Sequence, residues 1–169
     1  MRGRGRFAMP NDDVLRHHLV KLLTGSDAHA DFERVVADFP AELRGKTPKW
    51  AEHSAWQLLE HLRIAQRDIL EFSRNQEHQS PEWPGGYWPE EETLPDSKAW
   101  DRTVNAYCED LKAFCDLVED EKTDLFARIP HGDGQTILRE ALVVADHNAY
   151  HLGQMVLLRR LLGAWSSAG

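Results

Sequence analysis

The sequence predicts an all-α protein whose architecture is a four-helix bundle. Apolar residues recur at three- and four-residue spacings through four separate stretches of the chain, which is the period of an amphipathic helix. No stretch alternates apolar and polar residues for long, so no strand is predicted. The length of 169 residues suits a single domain, and 41% hydrophobic with 28% charged residues is an ordinary globular composition.

The first two predicted helical stretches cover residues 11–43 and 54–75. Gly25 and Ser26 indicate a break or kink within the first stretch, because both residues favour turns over helix interiors. Ser54 is the predicted N-cap of the second stretch, since its hydroxyl can accept a hydrogen bond from a free amide of the first turn.

The third and fourth predicted stretches cover residues 97–120 and 136–162, and Gly163 is the residue expected to end the fourth. Within the third stretch, Cys108 and Cys115 lie two helical turns apart, about 10.5 Å along the axis. That separation is too large for a disulfide. Both cysteines are therefore predicted to be small buried residues in a reducing compartment.

The segment between the second and third stretches is rich in proline and aromatic residues, and it predicts one long crossover between those two helices. Proline blocks helix formation there, and the aromatic side chains are expected to pack against the bundle. The prolines are Pro81, Pro84, Pro89 and Pro95, and the aromatic residues are Trp83, Tyr87 and Trp88.

Charge and hydropathy exclude two classes of partner. Lys and Arg total 20 against 28 Asp and Glu, which gives a net charge of −8, so a nucleic-acid partner is not expected. No apolar run approaches the roughly 20 residues of a membrane helix, so no membrane partner is expected. Residues 1–9 are predicted to be a disordered basic leader without a secretory signal, and residues 10–169 a folded domain in the cytoplasm.

Three of the nine histidines are candidate metal ligands. His147 and His151 are four residues apart, so they share one helix face with Cβ atoms about 5–6 Å apart, and two imidazoles at that spacing can converge on one ion. His61, at the centre of the second stretch, is the candidate third ligand. Three neutral imidazoles would leave a position open for water or substrate. The alternatives are a solvent-facing pair on the fourth helix and a hydrogen-bonded core histidine on the second.

Other chemistry at these residues is disfavoured. Asn148 stands where a zinc protease has the Glu of its HExxH motif, and no Glu-x-x-His of the di-iron bundles occurs. The acidic residues nearest in sequence are Glu60, Glu140 and Asp146, and none is an evident general base. Four residues are candidate pocket walls, with ordinary packing as the alternative for each: Gln154, Tyr150, Trp56 and Trp88.

The segments SAWQLLEHLRIAQRDIL and DHNAYHLGQMVLLRRLLGAW resemble the DinB/YfiT-like superfamily of metal-binding four-helix bundles, and the resemblance covers nearly the whole chain. It implies an up-down-down-up helix arrangement, a divalent metal (zinc or nickel) on His61, His147 and His151, and a homodimer. Gly153 and Gln154 also match the family pattern; Gly153 is expected to let a neighbouring helix approach closely.

The same resemblance implies a metal-dependent enzyme that acts on a small molecule. The reaction types it suggests are thiol transfer with a low-molecular-weight thiol cosubstrate, and hydrolysis. Two alternatives stay open. One is a metal-dependent module that binds a small ligand without turnover, and the other is a helical bundle in which the metal only joins two helices.

Overall fold

The computed structural model describes residues 10–25 and 28–165, and over those residues it contains helices and no strand. An isolated bridge pairs Arg128 with Thr136. The all-helical prediction is therefore confirmed for the described part of the chain, whereas the predicted leader at residues 1–9 lies outside it. The α-helices are α1 (Pro10–Thr24), α2 (Phe32–Val36), α3 (Ala55–Arg74), α4 (Ala99–Glu119) and α5 (Ile137–Leu161). Ala41–Leu43 and Gly85–Tyr87 form short 3-10 helices.

The first predicted stretch is interrupted more severely than its periodicity suggests. Helix α1 ends before Gly25, which has a φ of 70°, as the predicted break requires. Among the described residues beyond the break, the five residues of α2 are the α-helical part of this stretch, and Ala41–Leu43 form a single 3-10 turn. The prediction of helix up to residue 43 was wrong because Asp38 takes a left-handed φ of 50° and Pro40 follows it.

The N-terminus of α3 forms as its sequence predicts. The Ser54 hydroxyl accepts a hydrogen bond from the Gln57 amide at 3.2 Å, and the Gln57 side chain accepts one from the Ser54 amide at 3.0 Å. This reciprocal capping box satisfies two amides that the helix leaves without partners. It also fixes where α3 begins, and therefore which face of the helix His61 lies on.

The two C-terminal helices also match their predicted ranges within two residues. Helix α5 starts after Thr136, whose hydroxyl accepts from the Arg139 amide at 3.1 Å, and Gly163 follows its end with a φ of 70°. In α4 both cysteines are free thiols. Cys115 is buried, but Cys108 is exposed, so the burial prediction was wrong for Cys108.

Helix packing produces two apolar clusters. Helix α3 packs against α4 and α5, and α1 packs against the same two helices. The first cluster joins α2 to the N-terminal halves of α3 and α4 and the C-terminal half of α5. The second joins α1 to the C-terminal parts of α3 and α4 and the N-terminal half of α5. No helix of the described chain has the length and apolar character needed to cross a membrane.

Candidate metal centre

His61, His147 and His151 come together between α3 and α5. The Nε2 atom of His61 lies 3.1 Å from Nε2 of His151 and 3.0 Å from Nε2 of His147. The candidate ligand atoms of the three side chains all lie within 4.8 Å of one another. His61 and His151 are 5% and 8% exposed, and His147 is half-buried. The three rings therefore point inward, which contradicts the solvent-facing alternative for the pair on the fourth predicted helix.

Hydrogen bonds on the outer sides of two rings set their orientation. The backbone carbonyl of Tyr87 accepts from Nδ1 of His61 at 2.8 Å, and Oε1 of Gln154 accepts from Nδ1 of His151 at 2.8 Å. Because both partners are acceptors, each Nδ1 carries the proton. In the neutral ring, each Nε2 then presents a lone pair.

The donor set fits a divalent cation. Two acceptor nitrogens 3.1 Å apart repel each other unless a positive charge lies between them. Ligand nitrogens at about 2.0–2.1 Å from one ion, at angles of about 90–110°, are about 2.8–3.4 Å apart, which matches both measured Nε2 separations. Outer hydrogen bonds from the Nδ1 atoms are also typical of metal-binding imidazoles.

Burial keeps the three imidazoles neutral. Together with the neighbouring His151 and His61 rings, it lowers the pKa of His147 to about 4. It also lowers the pKa of His61 and of His151, although the hydrogen bonds to Tyr87 and Gln154 oppose that effect. At neutral pH, a proton is therefore disfavoured as the source of the positive charge between the nitrogens, which leaves a metal cation.

The segment between α3 and α4 covers and supports His61. The Trp88 ring stacks on His61 at 4.1 Å between ring centroids, and His53 stacks on the other face of Trp88 at 3.9 Å. The Tyr87 hydroxyl donates to Asp68 at 2.6 Å, and Nε2 of His78 contacts the other oxygen of Asp68 at 2.7 Å. Asp68, which lies two turns after His61 on α3, therefore holds Tyr87 in place, and the Tyr87 carbonyl orients His61.

The four candidate pocket residues occupy different environments. Gln154 forms a hydrogen bond with the ring of His151, and Trp88 stacks on the ring of His61. Tyr150 is largely exposed, and the centroid of its ring lies 4.9 Å from that of His151 in an edge-to-face contact. Trp56 lies in the first apolar cluster. Among the other crossover aromatics, Trp83 is largely exposed, so the expectation that it packs was wrong.

Acidic side chains have other partners or face solvent. Glu60 accepts from Arg63 and Thr103, Glu140 is buried and accepts from Arg139, and Asp146 is exposed. Within the described chain, the ligand-atom cluster at this centre contains the three histidines and no carboxylate.

Sequence reasoning missed three contributors to this centre. His53 lies outside the predicted helical stretches, where no spacing relates it to the other histidines, and the carbonyl of Tyr87 carries no side-chain signal. Asp68 could have been found, since it lies seven residues after His61 and so shares its helix face.

Comparisons with known proteins place the chain in a family. Neither curated proteins nor solved structures gave a match. A family model described as the DinB superfamily matches residues 26–155, which includes all three histidines and most of the described helices. The chain therefore belongs to the DinB superfamily.

Proposed function

We propose that this protein is a metal-dependent enzyme. It holds one divalent cation on His61, His147 and His151, and it uses this cation to catalyse a reaction of a small molecule. The observation that carries the proposal is the pair of Nε2 lone pairs of His61 and His151, which face each other at 3.1 Å. Imidazole nitrogen suits zinc and nickel, and these are the metals that we propose.

A divalent cation held by neutral imidazoles supplies Lewis acidity, which favours the deprotonated form of a water or thiol. The protein's own residues supply the rest. Tyr87 and Gln154 hold the Nδ1 protons, so that the lone pairs point inward. Trp88 covers one face of His61 and excludes water from it. His147, which is half-buried, is the most solvent-accessible of the three ligand side chains.

The composition of the centre bears on the reaction. A thiol transferase needs the cation to stabilise a thiolate, whereas a hydrolase also profits from a nearby carboxylate base. The cluster of candidate ligand atoms within the described residues contains only imidazoles. This favours thiol transfer with a low-molecular-weight thiol over hydrolysis. The same feature is compatible with a binding module that has no turnover, which is the second candidate.

The helix arrangement that we propose is up-down-down-up. The N-terminal halves of α3 and α4 share one apolar cluster, which supports a parallel orientation of these two helices. The C-terminal half of α5 joins the same cluster, which supports an antiparallel α5. Residues 75–98 would then form the long crossover that returns the chain to the start of α4.

Metal analysis of the purified protein tests the proposal. We expect about one zinc or nickel per chain, and we expect His61→Ala, His147→Ala and His151→Ala each to lower the content by at least tenfold. His17→Ala, an exposed histidine of α1, is the matched control and should leave the content unchanged. Substoichiometric metal that none of the three variants changes would falsify the assignment.

Turnover separates the enzyme from the binding module. The metal-loaded protein is assayed with a panel of low-molecular-weight thiols and electrophiles, and with a panel of esters. Thiol-dependent product formation that His147→Ala abolishes supports the transferase. Metal binding without turnover on either panel supports the module.

A further inference from the structure

A cavity of 280 Å³ lies beside the imidazole triad, and neither the metal ligands nor the proposed chemistry accounts for it. We refer to it as the Trp50 cavity. It lies where the chain preceding α3 meets the C-terminal half of α5. Its lining residues are Trp50, Ala51, Glu52, His53, Leu58, Gln154, Leu157, Leu158 and Leu161.

One side of the Trp50 cavity is polar and touches the residues that support the metal ligands. His53 stacks on Trp88, which in turn stacks on His61. Gln154 accepts the Nδ1 proton of His151. A molecule in the cavity therefore lies one side chain away from His151, through Gln154, and two side chains away from His61, through His53 and Trp88.

Most of the remaining lining of the Trp50 cavity is apolar, and three of its large side chains are exposed. Trp50 is 84% exposed, Leu157 57% and Leu161 54%. Large apolar side chains gathered around a concave site are typical of ligand pockets, whereas isolated exposed ones need no explanation. The volume is close to the lower end of small-molecule sites and far too small for a folded partner segment.

We propose that the Trp50 cavity binds the aliphatic or aromatic portion of a small neutral molecule, with its polar end at His53 and Gln154. The Glu52 carboxylate on the lining, in a chain of net charge −8, disfavours an anionic ligand. The inference rests on the proposed function, because it names the substrate class of the same centre: a small molecule that carries an apolar substituent.

Displacement of a fluorescent probe by straight-chain alcohols tests this assignment. The probe is N-phenyl-1-naphthylamine, which is neutral, and the competitors run from 1-butanol to 1-octanol. We expect each added methylene to strengthen competition by about fourfold, as burial of apolar surface requires. Leu157→Asn and Leu161→Asn should each weaken competition by 1-octanol by at least tenfold. Leu142→Asn, an exposed leucine of the same helix outside the cavity, is the matched control and should change nothing.

The measurement is made on zinc-loaded and on chelator-treated protein, so that the two proposals can fail separately. Chain-length dependence in a protein that binds no metal would overturn the metal centre but support the cavity. Metal binding without chain-length dependence would overturn the cavity alone. Leu157→Asn or Leu161→Asn could instead convert a dimer to a monomer in sedimentation velocity while leaving displacement unchanged. That result would also overturn the cavity, because the apolar side chains would then belong to a contact between two copies of the chain.

Discussion

The orientation of each imidazole depends on a hydrogen bond on the side away from the triad. A ring that binds a metal through Nε2 loses affinity if it can rotate or change tautomer, and an acceptor at Nδ1 prevents both. His61 finds this acceptor in the Tyr87 backbone, whereas His151 finds it in the Gln154 side chain, one turn further along α5. Only the second of these acceptors can be removed by substitution.

Gln154→Leu is therefore expected to weaken metal binding by about 10–100-fold, because the His151 ring loses the acceptor that fixes it. Gln154→Glu keeps an acceptor at this position and should bind metal at least as well as the parent chain. Competition with a chromophoric chelator measures both affinities. Equal affinities for the two variants would show that the Gln154 contact does not position His151.

The candidate ligands could be found from sequence, but the support that His61 receives from the Tyr87 carbonyl could not. The four-residue spacing of His147 and His151 is a local property of one helix, and it places both rings on one face whatever the rest of the chain does. The contact of His61 with Tyr87 joins residues 26 positions apart through a backbone carbonyl. No side-chain pattern encodes such a contact, because every residue type has the same carbonyl.

At the scale of the helices, two buried arginines each donate hydrogen bonds to carbonyls at the C-terminus of another helix. Arg159 of α5 donates to the carbonyls of Val35 and Ala37 at 2.8 and 2.9 Å, at the end of α2. Arg16 of α1 donates to the carbonyls of Val118 and Asp120 at 2.5 and 3.0 Å, at the end of α4. Carbonyls at helix C-termini lack partners within the helix, so each guanidinium supplies hydrogen bonds that the helix itself cannot, including one to a buried residue at each end, Val35 and Val118.

Helix boundaries were predictable where a cap lies next to the boundary in sequence, as Ser54 and Gly163 do. The short length of α2 could not be predicted, because it depends on the left-handed backbone at Asp38, which the pattern of apolar residues does not reveal.

The expectation for Gly153 was also wrong. Within the described residues, no neighbouring atom lies within 4 Å of the position that a Cβ would take there, so Gly153 does not serve a close helix approach; instead it lines a 610 Å³ cavity.

Gly153→Ala is accordingly expected to stabilise α5. The position is inside the helix, has open space for a methyl group, and gains about 1 kcal/mol in helix propensity. Urea denaturation of the two proteins measures the change in unfolding free energy. A loss of stability would mean that another chain packs against this face in solution, as in the homodimer that the family resemblance implies, and sedimentation velocity would then detect that dimer.

At the scale of the whole molecule, the three neutral rings of the triad lie between α3 and α5, which also pack against each other through the apolar clusters. Without metal, these rings stabilise the fold only while they stay unprotonated. The unfolded chain binds protons at an ordinary histidine pKa of about 6.5, whereas burial lowers the pKa of His61 and His151 and brings that of His147 to about 4. Between those values the unfolded state binds more protons than the folded state, so unfolding free energy must fall as the pH falls.

The metal-free protein should therefore lose stability from about pH 6.5 down towards pH 4, with a slope of at most about 1.4 kcal/mol per pH unit for each responding ring. His147→Gln removes the ring whose pKa is lowered to about 4 and should flatten the slope, whereas His17→Gln should not, since His17 is exposed on α1. Chelator-treated samples in urea at several pH values give the slopes. Stability that stays constant across this range in the parent chain would mean that the rings are more hydrated than their burial implies.

The lowered pKa values also affect metal binding, because protons compete with the cation for the Nε2 lone pairs. Metal occupancy at pH 6 should therefore be nearly that at pH 7, and it should decline only at more acidic pH.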